Sequence, residues 1–130
     1  MLIDWTAAFD RYFAELEKRA DQGDGDARAV LDLLVAQLGY VQDLESEPQE
    51  DTKTLKWVRQ SKKHPVWRLS HPYRQGIALR TIVWFTPDGR AVVALFSNDK
   101  AAMGDVFYDS VGPRADQIID QWLRERSGEP

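Results

Sequence analysis

The spacing of the apolar residues changes once along this chain, and that change confines it to folds in which helices precede a sheet. Between Asp4 and Ala20, Trp5, Ala8, Phe9, Tyr12, Phe13 and Leu16 recur at steps of three and four, the stripe of an amphipathic helix. Asp21-Gln22-Gly23-Asp24-Gly25-Asp26 then supplies glycines and N-cap residues that stop one helix and start another. Ala27, Val30, Leu31, Leu34, Leu38 and Val41 fall on one face of the second, so the two form an antiparallel αα-hairpin. Leu44 to Thr54 is acidic, holds Pro48 and has no period; it reads as a loop. After it the pattern becomes that of strands. Val66 to Ser70 and Ile77 to Phe85 are rich in β-branched and aromatic residues, and Thr86-Pro87-Asp88-Gly89 turns the chain into Ala91 to Phe96. Ser97 to Ser110 reads as an irregular surface segment. Pro113 stands at the N1 position of a last helix that aligns Ala115, Ile118, Ile119, Trp122 and Leu123. The expected fold is α+β: an N-terminal αα-hairpin, an antiparallel sheet of three to four strands and a C-terminal helix packed on it. One domain spanning 1–130 is expected, with the hairpin in 1–46 and the sheet and last helix in 53–126.

The residues available limit the chemistry. The chain has no cysteine and only two histidines, His64 and His71, which excludes disulfides, thiolate ligands and a three-histidine metal site within one chain. No Gly-rich phosphate loop, nucleophile elbow or metal-ligand spacing is present, so neither a metal nor a cofactor is expected. The longest apolar run, Ala91 to Phe96, is far short of the roughly 18 residues that cross a bilayer, and the first residues lack a basic, apolar leader. A cytoplasmic protein is the expectation.

The net charge of −4 hides a partition. Residues 1–50 hold 4 Lys and Arg against 12 Asp and Glu, a balance of −8. Lys53 to Arg80 carries eight cations, Lys53, Lys56, Arg59, Lys62, Lys63, Arg68, Arg74 and Arg80, and no carboxylate. Such a run is an electrostatic footprint for a polyanion, and Trp57, Trp67, Tyr73 and Trp84 lie in or beside it as stacking faces for unpaired bases. Lys56, Arg59, Lys62, Lys63, Arg74 and Lys100 are therefore the candidate RNA-binding residues. The competing reading makes the run a solvated face, its aromatics core, and its partner the chain's own acidic half or an acidic protein segment.

Metal-independent RNA cleavage needs a base for the ribose 2′-hydroxyl, cations for the charge that builds on phosphorus, and an acid for the departing 5′-oxygen. Arg68 and Arg80 suit the second task, since a guanidinium pairs two phosphate oxygens and stays charged. Alternation puts Arg80 on one strand face with Ala78, Ile82 and Trp84, and Leu79, Thr81, Val83 and Phe85 on the other. An arginine there is otherwise explained by snorkelling to the sheet edge or by pairing with a carboxylate of the hairpin. His71 titrates near neutrality and can serve as acid or base; Tyr108 can do so where cations lower its pKa. Each has a structural alternative, His71 as a turn residue and Tyr108 as packing.

Val66-Trp67-Arg68-Leu69-Ser70-His71-Pro72, Ala78-Leu79-Arg80-Thr81-Ile82-Val83-Trp84-Phe85, Val92-Val93-Ala94-Leu95-Phe96 and Asp99-Lys100 together resemble the pattern of the RelE/ParE toxin superfamily, in its phage-derived HigB-like branch. The resemblance spans about residues 27 to 125. It implies the toxin of a type II toxin-antitoxin pair, an endoribonuclease that cuts messenger RNA on the ribosome, inhibits translation and is silenced by a cognate antitoxin protein. Arg80 matches the family's arginine on the central strand, and Arg68 and Lys100 match basic positions. His71 and Tyr108 have no counterpart in the match. The alternative function is a non-catalytic protein-binding module on the same scaffold, with gyrase, a regulator or a phage component as partner.

Overall fold

A computed structural model describes residues 1–59, 63–70, 76–99 and 111–128. Its elements are β1 (Leu2–Trp5), α1 (Ala7–Asp21), α2 (Gly25–Gln42), β2 (Leu55–Trp57), β3 (Val66–Leu69), β4 (Leu79–Phe85), β5 (Ala91–Asp99) and α3 (Val111–Ser127). The class is α+β as expected, but the sheet has five strands in the order β1-β5-β4-β3-β2 and is mixed, because β1 runs parallel to β5. The expectation of an all-antiparallel sheet of three to four strands is thus corrected. Ser97 to Asp99 also belongs to β5, not to an irregular segment. No described helix is long and apolar enough to cross a membrane.

β1 is the strand that the helical reading of Asp4 to Ala20 concealed. Trp5 does pack on Phe9 and Phe13, with ring centroids 5.9 and 6.2 Å away, at the sequence intervals of helix neighbours. The backbone nevertheless breaks between them at Thr6, whose extended conformation makes it the N-cap of α1. Its hydroxyl accepts from the Phe9 N–H at 3.1 Å and donates to the Leu95 carbonyl at 2.6 Å. That carbonyl belongs to the extra residue of a β-bulge, where Ile82 faces Phe96 but Val83 faces Ala94. The bulge departs from the regular ladder, and Thr6 uses the Leu95 carbonyl to join the β1–α1 corner to β5.

The hairpin and α3 cover opposite faces of the sheet. Leu69, Leu79, Val83, Phe85 and Val92 are buried on the hairpin side together with Phe9, Leu34 and Val41. Val66, Ile82, Trp84, Val93, Leu95 and Phe96 are buried on the other side with Val111, Ala115 and Ile119 of α3. The expected alternation along β4 is what the structure has. In α3, Ile118 and Trp122 pack against this cluster, whereas Leu123 remains exposed and Pro113 lies third in the helix instead of first.

A polar network runs through the apolar hairpin face. Gln37 of α2, fully buried, donates through Nε2 to the Leu79 carbonyl at 3.2 Å and reaches the Leu69 carbonyl at 3.5 Å. Its Oε1 accepts from the Thr81 hydroxyl at 2.6 Å, and Thr81 lies 2.8 Å from Ser97 Oγ, which donates to the Arg80 carbonyl at 3.2 Å. One glutamine thereby ties α2 to β3, β4 and β5 directly beneath Arg80.

Candidate nucleic-acid interface

The register of the sheet places the cations. Lys56 faces Arg68 across β2 and β3, Arg68 faces Ile82 across β3 and β4, and Ile82 faces Phe96 across β4 and β5. Directly paired residues share a sheet face, so Lys56 and Arg68 stand on the α3 side with Ile82 and Phe96. Arg80 lies two residues before Ile82 and shares that face, paired with Asn98. Arg68 and Arg80 are therefore diagonal neighbours on adjacent strands, a relation that brings Cα atoms to about 7–8 Å. They sit where β3 ends and β4 begins, beside the end of β5.

Both arginines are half-buried, and Nε of each is enclosed by protein. Arg80 donates through Nη1 to the Leu79 carbonyl at 3.3 Å, and its Nε–H has no hydrogen-bond partner among the described residues. No ion pair joins Arg80 to a described carboxylate. The alternative in which the hairpin's carboxylates neutralise Arg80 is ruled out for those residues, since the hairpin lies on the other face.

Arg114 joins this half of the sheet from α3, its guanidinium carbon 4.1 Å from the centre of the Phe96 ring. Sequence reading missed it, although a signal was present: the first turn of α3 carries no acidic residue but does carry this cation, contrary to the preference set by the helix dipole. The ring contact supplies a reason for its position. Lys56, Arg68, Arg80 and Arg114 thus form a positive patch beside the positive end of α3.

Other members of the basic run are used differently. Lys63 donates to Asp120 Oδ2 at 2.7 Å, and His64 Nε2 lies 2.9 Å from Asp120 Oδ1. These two contacts, Lys63 first, hold the Asp120 carboxyl below its ordinary range. Asp116 accepts from the backbone N–H groups of Lys63 and His64, so this segment is a latch on α3. Arg59 pairs with Asp51 at 3.6 Å on the margin of the molecule. Lys62, His71, Arg74, Lys100 and Tyr108, like Tyr73, lie outside the described residues.

The proposed stacking aromatics are corrected by burial. Trp67 and Trp84 are core residues at 0% and 2% exposure, closed to any base; Trp57 is exposed but, facing Trp67 in register, it stands on the hairpin side, away from Arg68 and Arg80. What the described patch offers a ligand is fixed positive charge with guanidinium geometry, the chemistry of phosphate recognition. Comparison with protein-family models, with curated proteins and with solved structures gives no match to this chain.

Proposed function

We propose that the chain is a RelE/ParE-like toxin, of the HigB-like kind, that binds messenger RNA in the ribosome through the α3 side of its sheet and cleaves it without a metal. The observation that carries this reading is the diagonal pair Arg68 and Arg80 on one sheet face, with Lys56 and Arg114 beside them and the acidic hairpin on the opposite face. The order of hairpin, sheet and terminal helix supports a RelE-like arrangement, with β1 as its parallel edge strand. The separation of charge answers the difficulty of a net-negative RNA-binding protein: the field near the patch is set by local cations, and the carboxylates of the hairpin lie behind the sheet and are screened.

In the reaction proposed, the ribose 2′-oxygen attacks the adjacent phosphorus, the bond to the 5′-oxygen breaks, and a 2′,3′-cyclic phosphate and a 5′-hydroxyl result. Arg68 and Arg80 stabilise the charge on the phosphorane oxygens. His71 and Tyr108 are the proposed proton carriers, one removing the 2′-hydroxyl proton and the other protonating the leaving oxygen. A cognate antitoxin would silence the protein by laying an acidic segment over the patch.

Salt dependence tests the binding half of this proposal. With four cations engaged, the logarithm of the association constant for a single-stranded RNA is expected to fall against the logarithm of salt with a slope of about −3. Arg80→Met is expected to reduce the slope by about 0.7. Binding that is indifferent to salt, or a slope unchanged by removing Arg80, contradicts a phosphate-reading patch.

A further inference from the structure

We propose that the hairpin side of the molecule carries a second recognition site, which takes a basic protein segment and seats one of its arginine or lysine side chains on Trp57. The site stands apart from the RNA patch, on the other face of the sheet, and does not depend on the RNA reading.

Trp57 is a large aromatic held in place yet left exposed. Its ring meets that of Trp67 edge to face at 5.2 Å and 70°. Trp67 is fully buried and anchored in turn, its indole N–H donating to Glu47 Oε2 at 3.0 Å. The Trp57 main-chain N–H donates to Asp51 Oδ1 at 2.8 Å. The indole is thus supported from below and beside while 43% of the residue remains in solvent. With Glu50, Asp51 and Arg59 the two tryptophans border a cleft of about 390 Å³.

The charge around the cleft selects a cation. Glu50 and Asp51 line it and Glu47 holds the Trp67 indole, against the one cation Arg59 among its lining residues. A guanidinium already rests at the cleft, that of Arg59, 3.6 Å from Asp51 with 81% of its side chain exposed, so this wall accepts the group proposed. An incoming cation over the indole face gains cation–π attraction, and Glu50, for which no ion pair is formed among the described residues, supplies a carboxylate.

Strand addition is not the mode of binding. β2 is the last strand of the sheet, but its outer edge is already occupied by its own chain. The Leu55 N–H donates to Thr52 Oγ1 at 2.9 Å, the Leu55 carbonyl accepts from the Thr52 N–H at 2.8 Å, and Asp51 holds the Trp57 N–H. An edge blunted in this way does not template another strand, so recognition falls to side chains.

Titration calorimetry of the full chain with an acetylated, amidated hexa-arginine peptide tests the proposal. Wild type and Arg80→Met are expected to bind alike, and binding of a hexa-glutamate peptide, which the cationic patch on the other face attracts, is expected not to be affected by changes at Trp57. Trp57→Ala is expected to weaken binding about tenfold, within the range of a cation–π contact, Trp57→Phe less, and Glu50→Gln in the same direction. Circular dichroism checks that the variants are folded; should Trp57→Ala not fold, Trp57→Phe and Glu50→Gln decide. Unchanged affinity in the folded Trp57 and Glu50 variants, or no binding by wild type, overturns the site. Weaker RNA binding by Arg80→Met, with hexa-arginine binding kept, separates this site from the RNA patch.

Discussion

Replacing Arg80 by methionine is expected to slow RNA cleavage by about 10²–10³-fold, the cost of removing one preorganised donor to developing charge, while leaving the fold at least as stable as before. The two halves of this expectation have one origin. Arg80 is half-buried, its Nε–H is enclosed without a hydrogen-bond partner among the described residues, and the one described hydrogen bond of its side chain goes to the neighbouring Leu79 carbonyl. A buried donor left unsatisfied costs about 1–3 kcal/mol, a cost that methionine removes, since its terminal methyl takes the place of Nε and carries no donor. The use proposed for the charge of this incompletely satisfied side chain is the scissile phosphate. Cleavage in a reconstituted translation reaction, followed beside thermal unfolding, measures both halves. A variant that cuts at the native rate, or loses activity only because it unfolds, makes Arg80 a structural residue.

The second large effect is expected from Gln37. Gln37→Leu keeps the approximate volume but deprives the Thr81 hydroxyl of its acceptor and the Leu79 and Leu69 carbonyls of a donor, all in a buried setting. A destabilisation of about 1–2 kcal/mol is expected, because the Leu69 carbonyl loses its side-chain donor while the Thr81 hydroxyl keeps only Ser97 Oγ and the Leu79 carbonyl only Arg80 Nη1 as side-chain partners. The double variant Gln37→Leu, Thr81→Val is expected to lose less than the two single changes together, because removing both partners leaves fewer orphans. Urea unfolding of the four proteins measures this coupling. Additive losses would mean that the network contributes no more than its separate packing.

Position along the chain explains what could be read from the sequence. The αα-hairpin was legible because its apolar stripes are long and interrupted by two N-cap signals; Asp24 does cap α2, its carboxylate accepting from the Ala27 N–H at 3.0 Å. The face of Arg80 was legible because alternation along a seven-residue strand leaves only two choices. β1 and β2 were not, since strands of four and three residues owe their existence to partners far along the chain. Trp5 added a misleading helical interval, although Thr6 carried the capping signal that would have separated strand from helix.

The candidate site was half legible for a related reason. A run of cations is a property of sequence, while a patch is a property of register. Folding sends Lys63 to Asp120, Arg59 to Asp51 and Lys56 with Arg68 to the α3 face, and it brings in Arg114 from 34 positions beyond Arg80. The buried tryptophans follow the same logic: Trp67 and Trp84 stand next to cations in the chain, but their own places in the pleat put them in the two cores. Gln37 gave no signal of its own, being one polar residue within an apolar stripe, and its partners are assembled only by the sheet.

The most direct test of the central claim is induced expression of the wild-type chain and of Arg80→Met in bacterial cells, with new messenger RNA 5′ ends mapped across the transcriptome. Growth arrest with fresh 5′ ends inside translated frames, absent from the equally folded variant, is the expected result. Intact messages in arrested or growing cells that contain folded wild-type protein would contradict it.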